Sequence, residues 1–594
     1  MNPIAEYQRR LAERRQVAAR EQRLFRRIGN ARLATGIIGV GIAFFVFGEV
    51  LISFWWLALP LIVFLALVVV HARVVERLEA ANRAVAFYER GVERLEDRWM
   101  GKGETGDRFR HPEHVYAEDL DIFGKGSLFE LLCTARTRAG EDSLARWLLT
   151  PADREEAAAR QEAVEELRPR LDLREELAVL GEVVRSTMHT EAVKAWAEAP
   201  EVRFPRGAPY IAALVAAAVV VTFSLYMANV ATRTPFFAAL FVELAYGFFL
   251  GTRTLRVAGA VNSPSRELGL LAELLERLEN EQFHAPLLAR MQAALKASGL
   301  VASVEIHRLG RLVALMDWQR NLFFTPIALA ILWAAQVAMA MERWRRRSGP
   351  HIRDWIAGVG EFEALFSLAG YRYERPNNTF PELRADGDTW YEATALRHPL
   401  MPESQCVPND VQLGGELRLL IVSGSNMSGK STLLRSVGLS TVMAWAGAPV
   451  CAQRLSVSPL MVGASIRVQD SLQDGRSRFY AEITRLRQIV NLAADARTVL
   501  FLIDELLSGT NSHDRKIGAS AIVRTLVSRG AVGMITTHDL ALANIANDLA
   551  GRAANVHFAD TLQDGQLHFN YHLLPGVVER SNALDLMRSV GLEV

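Results

Sequence analysis

The apolar positions of this chain fall into distinct regimes. Leu33 to Val70 is a run of about 38 residues whose sole charge is Glu49, long enough for two spans of roughly 19 residues joined by a tight turn near Gly48–Ser53. Pro209–Met227 and Pro235–Gly251 form a second pair, joined by a short polar link holding Asn229 and Arg233. Glu243 lies inside the fourth span and is expected to face other helices rather than lipid. Outside the pairs, helical periodicity takes over in Glu155–Leu180 and again over 262–300, where Leu268, Leu271, Leu274, Leu275 and Leu278 share a face. From about residue 380 the pattern changes to short β-branched runs alternating with helices, as in an α/β domain.

Charge at the flanks gives the four spans a direction. Residues 1–32 hold nine Arg and three Glu, and Arg73, Arg77, Arg203, Arg206, Arg253 and Arg256 border the spans, whereas the two inter-span turns are nearly free of basic residues. The positive-inside rule then puts the N-terminus, the 72–207 region and everything after 254 in the cytoplasm. The basic first 32 residues are read as a solvated or membrane-surface arm rather than a DNA-binding one. Leu322–Met341 is also long enough to span. A fifth span would carry the C-terminal domain out of the cell, so this segment is expected to be a buried core helix.

Bulk composition adds limits. The 594 residues exceed one core, so three or more structural units are expected. A net charge of +1 neither suggests nor excludes nucleic acid, and three scattered cysteines, Cys133, Cys406 and Cys451, argue against a disulfide framework or a zinc site.

Chemistry concentrates in the α/β region. The strand-like run Leu417–Ser423 leads into Gly424, Ser425, Asn426, Met427, Ser428, Gly429, Lys430, Ser431 and Thr432, which fit G-x-x-x-x-G-K-[ST] with a helix to follow. Backbone N–H groups of such a loop surround a triphosphate, Lys430 can reach the β/γ-phosphates, and Ser431 can hold Mg²⁺. A second strand, Val499–Ile503, ends at Asp504-Glu505, which suits Mg²⁺ binding by Asp504 and orientation or deprotonation of an attacking water by Glu505. A third, Val532–Thr536, ends at Thr537-His538-Asp539, where His538 can sense the γ-phosphate. ATP and Mg²⁺ are the cofactors expected, and Glu505, His538 and Lys430 the catalytic residues.

These residues resemble the MutS mismatch-repair ATPases. Gly424–Thr432 is similar to that family's GPNMGGKST loop, with Ser425 and Ser428 in place of Pro and Gly. Arg397-His398-Pro399, Pro408-Asn409-Asp410, Asp504-Glu505 with Gly509-Thr510-Asn511-Ser512, and Thr537-His538 resemble its other ATPase elements. Gly475-Arg476-Ser477-Arg478-Phe479 with Glu482 resembles its G-x-S-T-F-x-x-E signature, whose serine reaches the partner subunit's nucleotide, so the resemblance implies a homodimer in which Ser477 completes the site. Asp121–Leu167 resembles the start of the family's lever core, and Phe569-Asn-Tyr571 to Gly591-Leu592 the closing strand and helix of its ATPase.

The chain also departs from the family. Membrane spans stand where a mismatch-reading domain would be, no Phe-x-Glu wedge precedes the core, Cys406 occupies a position that often carries an adenine-stacking aromatic, and Arg478 replaces the signature Thr.

The expected fold is therefore an α/β P-loop ATPase domain of the ABC/MutS type, C-terminal to an all-α core and lever region, with about four transmembrane helices. Its divisions are a basic cytoplasmic arm (1–32), a transmembrane hairpin (33–71), helical core (72–207), a second hairpin (208–253), core and lever (254–375), and the ATPase (376–594). The expected function is a multi-pass inner-membrane ATPase, its catalytic domain in the cytoplasm, acting as a switch on DNA. The alternative is an ATPase energising transport or membrane remodelling.

Overall fold

The computed structural model describes residues 2–48, 53–187, 190–259, 265–296, 299–319, 321–385, 387, 389–467, 478–494, 498–507, 510–538, 540–549, 551–563 and 566–578. Two long helices open the chain, Pro3–Gly48 and Ala58–Leu95. They lie antiparallel, with Tyr7 against Tyr88, Phe25 against His71 and Arg32 over Phe64. A second pair, Ala208–Met227 and Arg233–Ala258, follows. All four are long and apolar enough to cross a membrane. Glu243 is buried, and its carboxylate accepts the Leu332 N–H at 3.2 Å, so it faces protein as its position in an apolar helix requires.

Two expectations need correction. Residues 3–15 are not a solvated arm, because Tyr7 and Leu11, one helical turn apart, join Phe87, Tyr88 and Leu171 in a small core. Around it Arg14 pairs with Glu175 at 2.6 Å, and Arg10 with Asp172. Leu322–Met341 is not one buried helix either. It divides into Thr325–Ala330 and Trp333–Ser348, with Leu332 between them in a left-handed conformation (φ 50°) and Leu322 and Phe323 exposed. Pro326 starts the first piece, where its missing N–H is harmless, and the Glu243 carboxylate meets the N–H of Leu332 just before the second.

Side-chain caps start the short helices of the helical region. Ser127, Thr137 and Asp153 accept the N–H groups of Glu130, Gly140 and Glu156 at 3.2, 3.1 and 2.8 Å, opening Leu128–Leu132, Arg138–Leu149 and Arg154–Leu167. The 23-residue helix Ile352–Glu374 runs through this region. Its buried Glu363 accepts the N–H groups of Arg136 and Thr137 at 3.2 and 3.1 Å. At its C-terminal end Glu374 accepts from Tyr7 Oη at 3.2 Å and from both Nε and Nη2 of Arg94 at 2.8 and 2.5 Å, tying the first helical pair to the entrance of the α/β domain.

The α/β domain has ten strands: β1 Glu382–Leu383, β2 Trp390–Leu396, β3 Asn409–Gly414, β4 Leu419–Ser423, β5 Arg454–Val457, β6 Leu460–Ser465, β7 Thr498–Ile503, β8 Val532–Thr537, β9 Ala553–Gln563 and β10 Gln566–Pro575. A four-stranded sheet runs β1-β5-β2-β3, and a six-stranded sheet runs β10-β9-β4-β8-β7-β6. In the larger sheet β9, β4, β8, β7 and β6 are parallel, and only the edge pair β10–β9 is antiparallel. β4, β7 and β8 are buried along nearly their whole length, which explains their unbroken apolar runs. Helix Lys430–Ala446 is buried almost throughout between this sheet and the helical region. Gly438 lies where a Cβ would meet Leu120 and Leu502 under 3 Å away, and Gly447 ends the helix at φ 83° with Arg160 equally close. One hydrophobic core runs from Trp99 to Phe558 through both regions.

Candidate nucleotide-binding site

Three parallel strands bring their C-terminal ends to one crevice, where a sheet of this kind binds ligands. β4 ends at Ser423 and turns into the loop 424–429, in which Gly424 (φ 149°), Met427 (φ 70°) and Gly429 (φ 102°) supply conformations that L residues avoid. A Cβ on Gly424 would meet Ser428 Oγ at 2.8 Å and the Phe558 carbonyl at 3.2 Å, so the close approach also demands glycine. The helix that follows starts at Lys430 and presents its N-terminus to the crevice. Ser425, Asn426 and Met427 form the turn of the loop, Met427 being exposed, and Thr432 lines the cavity beside Ser431.

Lys430 folds back over the loop, its Nζ donating to the Gly424 and Ser425 carbonyls at 2.8 and 2.7 Å. Burial pushes the ammonium below its usual range, against the pull of Asp504, Glu505 and Asp560. An ammonium so placed gains from an incoming polyanion. Ser425 Oγ and Ser428 Oγ are buried and have no hydrogen-bond partner among the described residues. Buried hydroxyls without partners are uncommon and point to a ligand.

Asp504 follows the last residue of β7. Its Oδ2 accepts from Ser431 Oγ at 2.5 Å, and its Oδ1 from Thr536 Oγ1. The Ser431 hydroxyl and the Asp504 carboxylate therefore form a pair of hard oxygen donors, a set that fits Mg²⁺. Thr536 also accepts the Glu505 N–H at 2.9 Å, and Glu505 and Leu507 take left-handed φ values of 49° and 56°. Strain of this kind, roughly 1–3 kcal/mol per residue, gathers at functional sites. Glu482 helps to hold the turn by accepting the Leu507 N–H at 2.6 Å. His538, just beyond β8, has Nδ1 3.7 Å from Glu505 Oε1.

Asn426, Met427, Gly429–Thr432 and Glu505 border a cavity of about 530 Å³ that also includes Leu396, His398, Cys406, Asn409, Phe558 and Tyr571, with Asp504 behind Ser431. Tyr571 has a left-handed φ of 54°, and its ring passes within 3.3 Å of where a Gly429 Cβ would be. Asn409 fixes it there, donating to the Tyr571 carbonyl at 2.9 Å and accepting the Leu573 N–H at 2.7 Å. Cys406 Sγ accepts the His398 N–H at 3.2 Å. Burial, with Arg435 nearby, pushes the His398 imidazole down to about 4, which keeps it neutral.

The crevice brings together Gly424–Thr432, Asp504, Glu505 and His538. Ser477 lies outside the described residues. Thr536 and Tyr571 act here without having been picked out as site residues. Tyr571 was legible only as part of a closing-strand pattern, and the side chain of Thr536 reads as one more apolar-strand position.

Comparison with known proteins agrees with this geometry. Residues 420–593 match the family model of MutS domain V. The DNA mismatch repair protein MutS of Natronomonas pharaonis is 34% identical over 266 residues, 43% of this chain and 29% of the relative. The MutS of a Roseiflexus species is 32% identical over 246 residues, 40% of this chain and 22% of the relative. Endonuclease MutS2 of Thermus thermophilus is 35% identical over 210 residues, 34% of this chain and 26% of the relative. The chain thus spans less than a third of the length of these curated relatives. Residues 420–593, most of the C-terminal α/β domain, are thus a match to MutS domain V.

Proposed function

We propose that this protein is a membrane-anchored MutS-like ATPase that binds and hydrolyses ATP at a site shared by two copies and works as a conformational switch. The observation that carries the reading is the convergence on one cavity of Lys430, Glu505 and Ser431, the last bonded to Asp504, with two buried hydroxyls that lack partners among the described residues. The first N–H groups of helix Lys430–Ala446 and the Lys430 ammonium bind the β- and γ-phosphates. Ser431 and Asp504 would hold Mg²⁺, whose chemistry is to neutralise charge on the phosphate oxygens. Glu505 orients or deprotonates the water that attacks the γ-phosphorus in line, the bond to the leaving ADP oxygen breaking as the new P–O bond forms. His538, beside Glu505, reports the presence of the γ-phosphate, and Tyr571 offers a face to the base. In this reading Ser477 of a second copy reaches the same nucleotide.

The four apolar helices serve as two membrane hairpins, with the α/β domain at the cytoplasmic face of the inner membrane. DNA is the partner suggested by relatives named for mismatch repair and endonuclease action. A second reading, in which the output is directed at the membrane, draws on the grip of Tyr7 and Arg94 on Glu374, which links the first hairpin to the ATPase entrance.

The test uses the full chain in lipid nanodiscs. ATP turnover that disappears in Lys430→Ala and in Glu505→Gln is expected, and wild-type turnover in either would defeat the assignment of the site. Mixed Lys430→Ala and Ser477→Ala subunits should recover part of the activity that each lacks alone if the site is shared. Affinity for duplex and branched DNA that falls with salt would favour DNA as ligand, and affinity flat against salt would favour the membrane-directed reading.

A further inference from the structure

Helices Ala302–Trp318 and Trp333–Ser348 form an antiparallel hairpin. Trp333 Nε1 donates to the Leu315 carbonyl at 2.6 Å near its tip, and Trp344 Nε1 to the Glu305 carbonyl at 2.9 Å near its base. Between them, residues 321–332 make a turn and the short helix Thr325–Ala330. This tip carries large apolar side chains that nothing among the described residues covers: Leu322 is 82% exposed, Phe323 89% and Leu329 61%, with Ile327 and Trp318 also exposed.

The tip does not project at random. Leu332, Ala335 and Met339 pack against Ala208, Ala212 and Leu250. A Cβ on Gly247 would lie 2.9 Å from Leu332, and the Leu332 N–H is held by Glu243. The tip therefore sits beside the part of the second helical pair that lies several residues inward from Arg253. The outer faces of that pair are equally apolar, with Leu214, Phe241 and Phe248 exposed.

Several backbone N–H groups of the tip and the Thr325 hydroxyl are satisfied internally. The N–H groups of Asn321, Phe324, Thr325 and Ala328 donate to the carbonyls of Trp318, Asn321, Asn321 and Phe324 at 2.8–3.0 Å, and that of Phe323 to Asn321 Oδ1 at 3.0 Å. Thr325 Oγ1 donates to the Gln319 and Asn321 carbonyls at 2.9 and 2.8 Å. A turn that hydrogen-bonds within itself, and whose exposed side chains beyond Asn321 are Leu322, Phe323, Pro326, Ile327 and Leu329, suits hydrocarbon and not water.

We propose that Asn321–Leu332 is a re-entrant membrane element, dipping into the cytoplasmic leaflet beside the second hairpin so that phospholipid acyl chains cover Leu322, Phe323, Ile327 and Leu329. This rests on the reading that Ala208–Met227 and Arg233–Ala258 cross a bilayer. Because the hairpin enters and leaves by the same face, it adds membrane contact without changing the side on which the ATPase lies. It also accounts for a segment with the length and hydropathy of a span that is folded as two pieces.

The test places a photo-crosslinking benzoylphenylalanine at Phe323 in the full chain, in nanodiscs of phosphatidylcholine and phosphatidylglycerol. Covalent lipid adducts are read by mass spectrometry. The same residue at Val221, exposed in the second hairpin, reports on the spanning reading, and at Ile517, exposed on the ATPase, on background. Ile327 serves as a second tip position. The proposal expects lipid adducts at 323 and 327 at the level seen at 221, and none at 517. Adducts at 221 with none at 323 or 327, or crosslinks there to a second copy instead of lipid, would overturn it and leave the spanning reading standing. Loss of lipid adducts at 221 as well would overturn both.

Discussion

Lys430 and Glu374 are each 5% exposed and each sits at a helix terminus, yet their surroundings differ in kind. Glu374 is enclosed by its partners: the Arg94 guanidinium meets it in a two-point fork and Tyr7 donates a third hydrogen bond. Lys430 has two carbonyl acceptors and, among the described residues, no carboxylate in hydrogen-bonding contact, and the nearby Ser425 and Ser428 hydroxyls have no partner there. The first cluster is complete and holds elements together. The second is completed only by something that arrives. Burial of charge by itself does not separate scaffold from site, whereas the state of satisfaction does.

That contrast can be broken most severely at Glu505. Glu505→Gln keeps the size of the side chain and removes its charge, and should lower kcat for ATP by on the order of 10²–10⁴ with ATP affinity retained. A steady-state assay paired with equilibrium nucleotide binding checks this, and equal loss of both would move Glu505 from catalysis to structure. Next is Glu374→Ala, which strands the buried Arg94 guanidinium and should destabilise the folded protein by about 3–5 kcal/mol. Denaturant unfolding in detergent measures it, and nucleotide affinity of the surviving folded protein should be unchanged.

His398 adds a pH axis. Its folded value is about 4 against an ordinary 6.5, so between those values the unfolded chain takes up a proton that the folded chain refuses. Stability is then fully present above pH 6.5 and declines as pH falls towards 4, by on the order of 3 kcal/mol in all. Unfolding midpoints measured across that window should flatten in His398→Gln. The smallest expected effect is that of Lys430→Met, which should weaken ATP by about 1.5–3 kcal/mol, roughly tenfold to a hundredfold or more, while leaving the unfolding midpoint unchanged or raised. A fall in stability like that of Glu374→Ala would erase the distinction between the two clusters.

Much of the site was readable in the sequence because its chemistry is local. A phosphate loop needs glycines, a lysine and a hydroxyl at fixed spacing between a strand and a helix, and Gly424–Thr432 meets that requirement within nine residues. Asp504 and His538 follow from the same rule, since each stands just past a buried strand. Tyr571 and Thr536 were harder to read because they reach the crevice through pairings across distant parts of the chain, Asn409 to β10 and β8 to β7. The four apolar helices were plain from length and composition, whereas the fate of Leu322–Met341 was not. Periodicity reports hydropathy, and the break at Leu332 is set by a carboxylate 89 residues away.

The packing of Leu120 onto Gly438, and of Arg160 onto Gly447, has a practical corollary. The sequence suggests cutting the chain near residue 376 to obtain an independent catalytic module, but the helix behind the phosphate loop would then present its naked apolar back to solvent. Such a fragment should precipitate or refuse to fold, and heating the intact protein should melt both halves in one cooperative step.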